Sequence, residues 1–154
     1  MRKGGNPLDK GEKLCWRRLT YLLIGGAYIP ERAYKTDAGL DIRSPERVWV
    51  MAHNSVIIDT GVHIELPPGY VGMLKSKSGL NVKHGLTGEG VIDSGYGGSI
   101  VVKLYNNSNV NKLIGLGDKI IQLVIIPIET PEVNLVSEIN SGERGSRGFG
   151  SSGK

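Results

Sequence analysis

The apolar residues of this chain come in short, β-branched-rich runs rather than in stripes. "RVWVM" precedes "SVIIDTGVHIEL", the turn "PPG" leads into "YVGMLKS", and "SIVVKLYN", "KIIQLVIIPI" and "VNLVSEI" follow. Gly, Pro and Asn separate these runs at the spacing of a sandwich or barrel, and β-branched side chains fit a pleated, half-buried surface. No window of a dozen residues keeps an apolar stripe at helical period. One short helix is expected in "GLNVKHG", with Ser78 placed to cap its N-terminus. "RRLTYLLIGGAYIPERA" resembles a signal peptide only in its arginines before an apolar run. The run is short, is broken by Gly25-Gly26 and Pro30 and lacks a small-residue cleavage site, so it reads as the first strand.

Pro127 and Pro131 bracket "IET" after the strongest apolar strand, where the chain can leave its own sheet because proline donates nothing to a ladder. The following "EVNLVSEI" alternates like a strand in need of a partner, and reads as an arm laid on a neighbouring subunit. The pattern therefore predicts an all-β body over residues 17–141. A basic extension precedes it at residues 1–16, and a glycine- and serine-rich segment follows at 142–154.

Composition sharpens this only in places. With 154 residues and 39% hydrophobic content, the chain is long enough for one core. Glycine is frequent, at 23 residues, as many tight turns require. Cys15 is the single cysteine and has no internal disulfide partner, and His53, His63 and His84 are too scattered for a preformed metal site. The net charge of +4 looks like a nucleic-acid signal until it is located. Arg2, Lys3, Lys10, Lys13, Arg17 and Arg18 face only Asp9 and Glu12 in the leader, which leaves the remainder formally neutral. A polyanion binder spreads its excess over a folded face, so stable nucleic-acid binding is not expected. No segment approaches the ~20 apolar residues of a membrane span. A cytoplasmic protein, or one of the host cytoplasm if the source is a virus or phage, is the expectation.

Five stretches could carry chemistry. "TDAGLDI" sets small residues beside Asp41 at a strand start, as a plain turn also would. "KSKSGL" gathers Lys77, Ser78 and Gly79 at a strand-to-helix junction, where amides, a hydroxyl and ammonium groups suit a phosphate, although charged Ser-Gly turns are common. "GVIDSGYGG" places Asp93 and Tyr96 on one glycine-rich hairpin that a ligand could approach closely. "GDKIIQLVI" puts Gln122 inside an apolar strand, where its amide must find backbone or ligand partners. "ERGSRGFGSSGK" combines Arg144, Ser151 and Ser152 with glycine amides and the chain's one Phe, Phe149; by composition it is a flexible end.

In sequence order and approximate spacing, "AGLDI", "SKSGL", "GVIDSGY", "GDKIIQLV" and "RGSRGFGSSG" resemble the five motifs of the trimeric dUTPases, over roughly residues 28–153. The resemblance implies a jelly-roll-like β-barrel with one short helix and a flexible C-terminal arm. It also implies a homotrimer with active sites shared between subunits, and Mg²⁺-dependent hydrolysis of dUTP to dUMP and pyrophosphate. Asp93 would be the general base. The hairpin backbone from Thr87 through Gly90, Val91 and Ile92 to Asp93 would read the uracil edge, and Tyr96 would pack on the sugar. Lys77, Ser78, Gly79 and Gln122 would hold the phosphates, and Asp41 would act on the metal through water. Arg144, Phe149, Gly150, Ser151 and Ser152 would close over the nucleotide as a lid.

This chain departs from that pattern at several positions. Lys77 stands where Arg is usual, keeping the charge and losing the two-pronged geometry. "YGG" replaces the commoner Tyr-Arg-Gly, Thr87 stands where many relatives have Asn, and Arg147 is an added cation. A dCTP deaminase would need a glutamate in the pocket, for which Glu89 is the only nearby candidate. Some viral and phage relatives also bind regulatory proteins, with an insertion between the third and fourth motifs. "SIVVKLYNNSNVNKLIGLGD" leaves little room for one.

Overall fold

A computed structural model describes residues 19–139. Its elements run β1 (Thr20–Leu23), β2 (Gly39–Arg43), β3 (Val48–Val50), β4 (Ser55–Asp59), β5 (Val62–Glu65), β6 (Tyr70–Lys75), α1 (Ser78–His84), β7 (Leu86–Thr87), β8 (Glu89–Ile92), β9 (Val101–Asn106), β10 (Lys112–Ile114) and β11 (Lys119–Pro127). The fold is all-β with one short helix, as the sequence pattern predicts, and jelly-roll-like, as the family resemblance implies. A four-stranded antiparallel sheet runs β2-β11-β6-β8 and a three-stranded one runs β4-β9-β7. Two-stranded pairs β1-β5 and β3-β10 complete the strands, and the sheets do not close into a true barrel.

The core lies between the two larger sheets. On β2, β11 and β6 a cross-strand row sets Leu40 against Leu123 and Leu123 against Leu74, all nearly inaccessible. Val102 and Leu104 answer from β9, whose residues alternate exposed and buried along its length, as a sheet with one solvated face requires. Ile42, Ile58, Ile100 and Ile121 are fully buried between them. Asn106 ends the inward row of β9; its amide donates to the carbonyls of Val50 and Val110, both at 2.9 Å, so its burial leaves nothing unpaired.

Three expectations need correction. Lys77, not Ser78, occupies the N-cap position of α1, and no side chain caps that end; Ser78 is the first helical residue. The helix stops at Gly85, whose φ of 67° is the left-handed conformation that glycine adopts without a Cβ penalty. Second, the Asp93–Gly98 stretch is a corner between sheets rather than a hairpin. β8 pairs with β6, whereas β9 pairs with β4 and β7. Gly95, at φ 88°, turns the chain, and Ile100 then docks on β5 of the β1-β5 pair through its amide to the Val62 carbonyl at 2.8 Å. Third, "VNLVSEI" forms no strand; Val133, Leu135 and Ile139 are 101%, 97% and 87% exposed. Among the described residues this segment pairs with no strand of its own chain.

Leu123 is at the centre of the row that joins three strands. Leu123→Ala is expected to cost about 2–5 kcal/mol, the range for emptying a closed aliphatic site. Urea denaturation should show this as a lower midpoint at an unchanged slope.

Candidate functional site

The charged centre of the molecule is Asp41, which is only 3% exposed in the middle of β2. One carboxylate oxygen accepts from the Lys77 ammonium, and the other is paired with Lys119 Nζ at 2.7 Å. Its position is fixed by backbone as well, since its amide donates to the Glu31 carbonyl at 2.7 Å. Burial alone would raise the Asp41 pKa. The hydrogen bonds from Lys119 and Lys77, with their charges, outweigh that and hold the carboxyl below its ordinary value.

Lys119 reaches Asp41 because of a one-residue irregularity. Lys119 pairs with Arg43 and Ile121 with Ile42, so Ile120 is an extra residue in the ladder. Three positions apart on a regular strand, Lys119 and Gln122 would point to opposite faces. The bulge resets the phase, burying both Ile120 and Ile121 while Lys119 and Gln122 share the Asp41 face. Sequence reasoning missed Lys119 for this reason. Its only trace is an odd spacing inside an apolar run.

Gln122 is opposite Asp41 on one side and Lys75 on the other. It is half-buried rather than enclosed, and its amide makes no hydrogen bond to the described residues. Its side chain lies across Gly39, where an added Cβ would come within 2.9 Å of Oε1. Gly39 is thus required beneath Gln122, a second residue missed from sequence. Beyond β6, the Ser76 hydroxyl donates to the Gly88 carbonyl at 3.0 Å and accepts from the Gly88 amide at 2.9 Å. That exchange continues the β6–β8 pairing and delivers Lys77, Ser78 and Gly79 to the sheet's end. Ser78 and Gly79 are exposed there. Glu89 is exposed at the same end and faces Lys75 at 3.8 Å.

The second centre is the turn after β8. Asp93 follows buried Ile92 and is itself exposed; Val91, Ile92, Asp93, Tyr96, Ser99 and Val101 line a recess of about 220 Å³. The Tyr96 amide closes the turn on the Asp93 carbonyl at 3.1 Å. Thr87 is on β7, its hydroxyl accepting from the Asn107 amide at 3.0 Å. Gly90 packs on Leu74, whose Cδ1 would lie only 3.0 Å from an added Cβ.

The two centres do not meet within one chain. β6 and β8 run antiparallel, with Gly72 opposite Ile92 and Lys75 opposite Glu89. Asp93 therefore falls level with Val71, six strand steps from Lys77, which is roughly 20 Å at the rise of an extended chain. Arg144, Phe149, Gly150, Ser151 and Ser152 lie outside the described residues. No group of three His, Cys, Asp or Glu that could hold a metal exists among the described residues, and none of their helices is long and apolar enough to cross a membrane.

A buried carboxylate–lysine cluster at one end of a jelly-roll-like sheet and a glycine-rich carboxylate turn at the other sit on a fold shared with solved dUTPases. The family model described as dUTPase matches residues 26–153. The chain belongs to that family. It is 42% identical over 130 residues to the deoxyuridine 5′-triphosphate nucleotidohydrolase of Clostridium kluyveri, a match covering 82% of this chain and 91% of the relative. The enzyme of the same name from Paramecium bursaria Chlorella virus 1 is 40% identical over 132 residues, covering 85% and 94%. Among solved structures, a mutant dUTPase of Staphylococcus bacteriophage 80alpha with dUpNHpp superposes with a TM-score of 0.84 at 36% identity, covering 90% of this chain and 99% of that one. A mutant dUTPase from phage phi11 of S. aureus, described as coordinating a structural Mg(II) ion, gives 0.76 at 36% identity, covering 80% and 99%.

Because the Asp41 pKa is depressed on folding, the stabilisation from its two ion pairs is present above the ordinary aspartate value of 3.8 and is lost as pH falls through the folded value. The Asp41→Asn variant leaves both ammonium groups without their partner, at an expected cost of about 2–3 kcal/mol at neutral pH. Thermal melts from pH 7 to 2.5 should show the wild type and variant converging at the acid end.

Proposed function

We propose that this chain hydrolyses dUTP to dUMP and pyrophosphate as a homotrimer whose active sites are shared between subunits. The observation that carries the reading is the split between the Asp93 turn and the Lys77–Asp41–Gln122 cluster. A triphosphate nucleotide that needs a base at its α-phosphorus and cations along its phosphates cannot use both centres of one chain ~20 Å apart. It can use the turn of one subunit and the cluster of the next. The exposed apolar arm at 133–139 suits a crossing between subunits.

In this reading Asp93 accepts a proton from a water whose oxygen attacks the α-phosphorus, and the bond to the bridging oxygen breaks to release pyrophosphate. The backbone from Thr87 through Gly90, Val91 and Ile92 to Asp93 reads the uracil edge. Cytosine would present a donor where uracil presents an acceptor, and an unpaired buried polar group costs ~1–3 kcal/mol. Tyr96 packs on the deoxyribose and leaves no room for a 2′-hydroxyl. Lys77, Ser78, Gly79 and Gln122 hold the phosphates, and Asp41 orients Lys77. Arg144, Phe149, Gly150, Ser151 and Ser152 close over the nucleotide.

Magnesium fits this site only as a companion of the triphosphate. Both Asp41 oxygens are already committed to ammonium groups, so Asp41 suits contact through water and not direct ligation. When bound, the ion neutralises phosphate charge. Such an enzyme, acting in the cytoplasm of a cell or of a viral host, limits uracil in DNA and supplies dUMP for dTMP synthesis.

A regulatory protein-binding role is the second reading. One description of the 80alpha phage dUTPase states that phage dUTPases control transfer of virulence genes. In this chain residues 107–111 alone join β9 to β10, which leaves no inserted surface for a partner there. A deaminase reading is weaker, because Glu89 is solvent-exposed and paired with Lys75 at the far end of β8 from Asp93.

Pyrophosphate release should be selective for dUTP over dTTP, dCTP and UTP in the presence of Mg²⁺; equal release from all four would overturn the assignment. Asp93→Asn should fold normally and lose about 10²- to 10⁴-fold in kcat, the usual worth of a positioned base. Sharing makes a further demand. Two inactive variants, Asp93→Asn and Lys77→Ala, should regain part of the activity when unfolded and refolded together. Mixtures no more active than the separate variants would confine each site to one subunit.

A further inference from the structure

The turn that carries Tyr96 has little stiffness of its own. Gly95, Gly97 and Gly98 supply no side chains and the most backbone freedom to lose on ordering. Yet Tyr96 has one defined position, folded back over Gly98 so that a Cβ there would collide with its hydroxyl. That hydroxyl donates to the Ser99 carbonyl at 2.9 Å. The ring is therefore only as well placed as the backbone of residues 97–99.

What fixes that backbone is a run of side chains on the β4–β5 corner. His63 Nδ1 donates to the Gly97 carbonyl at 2.9 Å. The Asp59 carboxylate accepts the Ser99 hydroxyl and, at 3.0 Å, the Gly61 amide. The Thr60 hydroxyl, fully buried, donates to the Ile100 carbonyl at 2.7 Å. Three side chains from residues 59–63 thus hold Gly97, Ser99 and Ile100. None of the three lines the Asp93 recess, and Asp59 and His63 instead border a separate cavity of about 290 Å³ with Ile24, Pro45 and Ser99.

We propose that Asp59 and His63 are positioning residues for sugar selection: by clamping Ser99 and Gly97 they hold the Tyr96 ring where it rejects a 2′-hydroxyl. The clamp does from outside what the two adjacent glycines cannot do from within. Removing one clamp should free the ring by a fraction of its width. That leaves room for a ribose while the attacking water, the base Asp93 and the phosphate groups stay in place. The effect then falls on discrimination and KM rather than on kcat. The inference rests on the dUTPase reading and deepens its account of the sugar site.

The test compares the full-length wild type with His63→Ala and Asp59→Ala, measuring kcat and KM for dUTP and UTP. Both variants should keep kcat for dUTP within about threefold, while the dUTP-to-UTP ratio of kcat/KM drops about tenfold or more. His63→Asn places an amide nitrogen near the former Nδ1 and Asp59→Asn keeps an acceptor oxygen for the Ser99 hydroxyl; each should recover most of the ratio. Hydrogen exchange adds a readout that needs no substrate, with faster exchange of the Gly95–Gly98 amides in both alanine variants. An active wild type whose folded alanine variants keep the full ratio overturns the positioning role alone. A wild type that does not hydrolyse dUTP overturns the functional reading, and the sugar-selection role with it.

Discussion

Strand β11 is hydrogen-bonded on both edges, to β2 and to β6, and the charged groups of one half of the site are arranged about that ladder. The same strand buries Ile121 and Leu123 on its inner face and carries Lys119 and Gln122 on its outer one. Core and chemistry are therefore coupled through a single backbone. A shift of register by one residue would bring Leu123 to the surface and point Gln122 into the core. The bulge at Ile120 is compatible with this constraint because it falls at the strand's end. There it re-aims Lys119 without disturbing the pairs from Gln122 to Pro127.

The Asp41 cluster shows how such a constraint shapes electrostatics. A carboxylate with 3% exposure would be driven neutral if it stood alone, yet here two lysines approach from different elements, one past β6 and one on β11. Two cations against one anion leave the cluster with a net positive charge, facing the end of the sheet where Ser78 and Gly79 are exposed. An anion arriving there meets a site already short of negative charge. Lysine at position 77 suits this arrangement, since a single-point ammonium can serve Asp41 and turn toward a phosphate without the planar alignment that arginine requires.

Local signals were legible in the sequence, and pairing across distance was not. β-branched runs marked most of the strands, "GLNVKHG" marked the helix, and the motif stretches marked where to look. The capping error at Ser78 came from reading composition without φ and ψ. The hairpin expected at Asp93–Gly98 failed because strand neighbours in sequence need not be neighbours in a sheet, and here Ile100 finds Val62 instead. Lys119 was hidden because a bulge adds a residue without changing the apolar pattern. Gly39 was hidden because its role is to be absent beneath Gln122. The roughly 20 Å between Asp93 and Lys77 follows from the β6–β8 register, which periodicity does not encode.

That separation also gives the unpaired surfaces a common meaning. Val91 is 57% exposed one residue before Ile92, on the outer face of the four-stranded sheet, and the strand-like arm at 133–139 leaves Val133 and Leu135 wholly uncovered. Exposed apolar surface of this kind suits a chain whose other half-site, in the proposed trimer, belongs to a neighbour. Burying those surfaces in the proposed trimer and completing the site would be one event, so that stability of assembly and competence for chemistry rise together. A chain that kept both halves of its site on one face would have no comparable reason to leave an alternating apolar segment unpaired. In the proposed trimer, the geometry of β6 and β8 would account for the exposed arm as well as for a site divided between subunits.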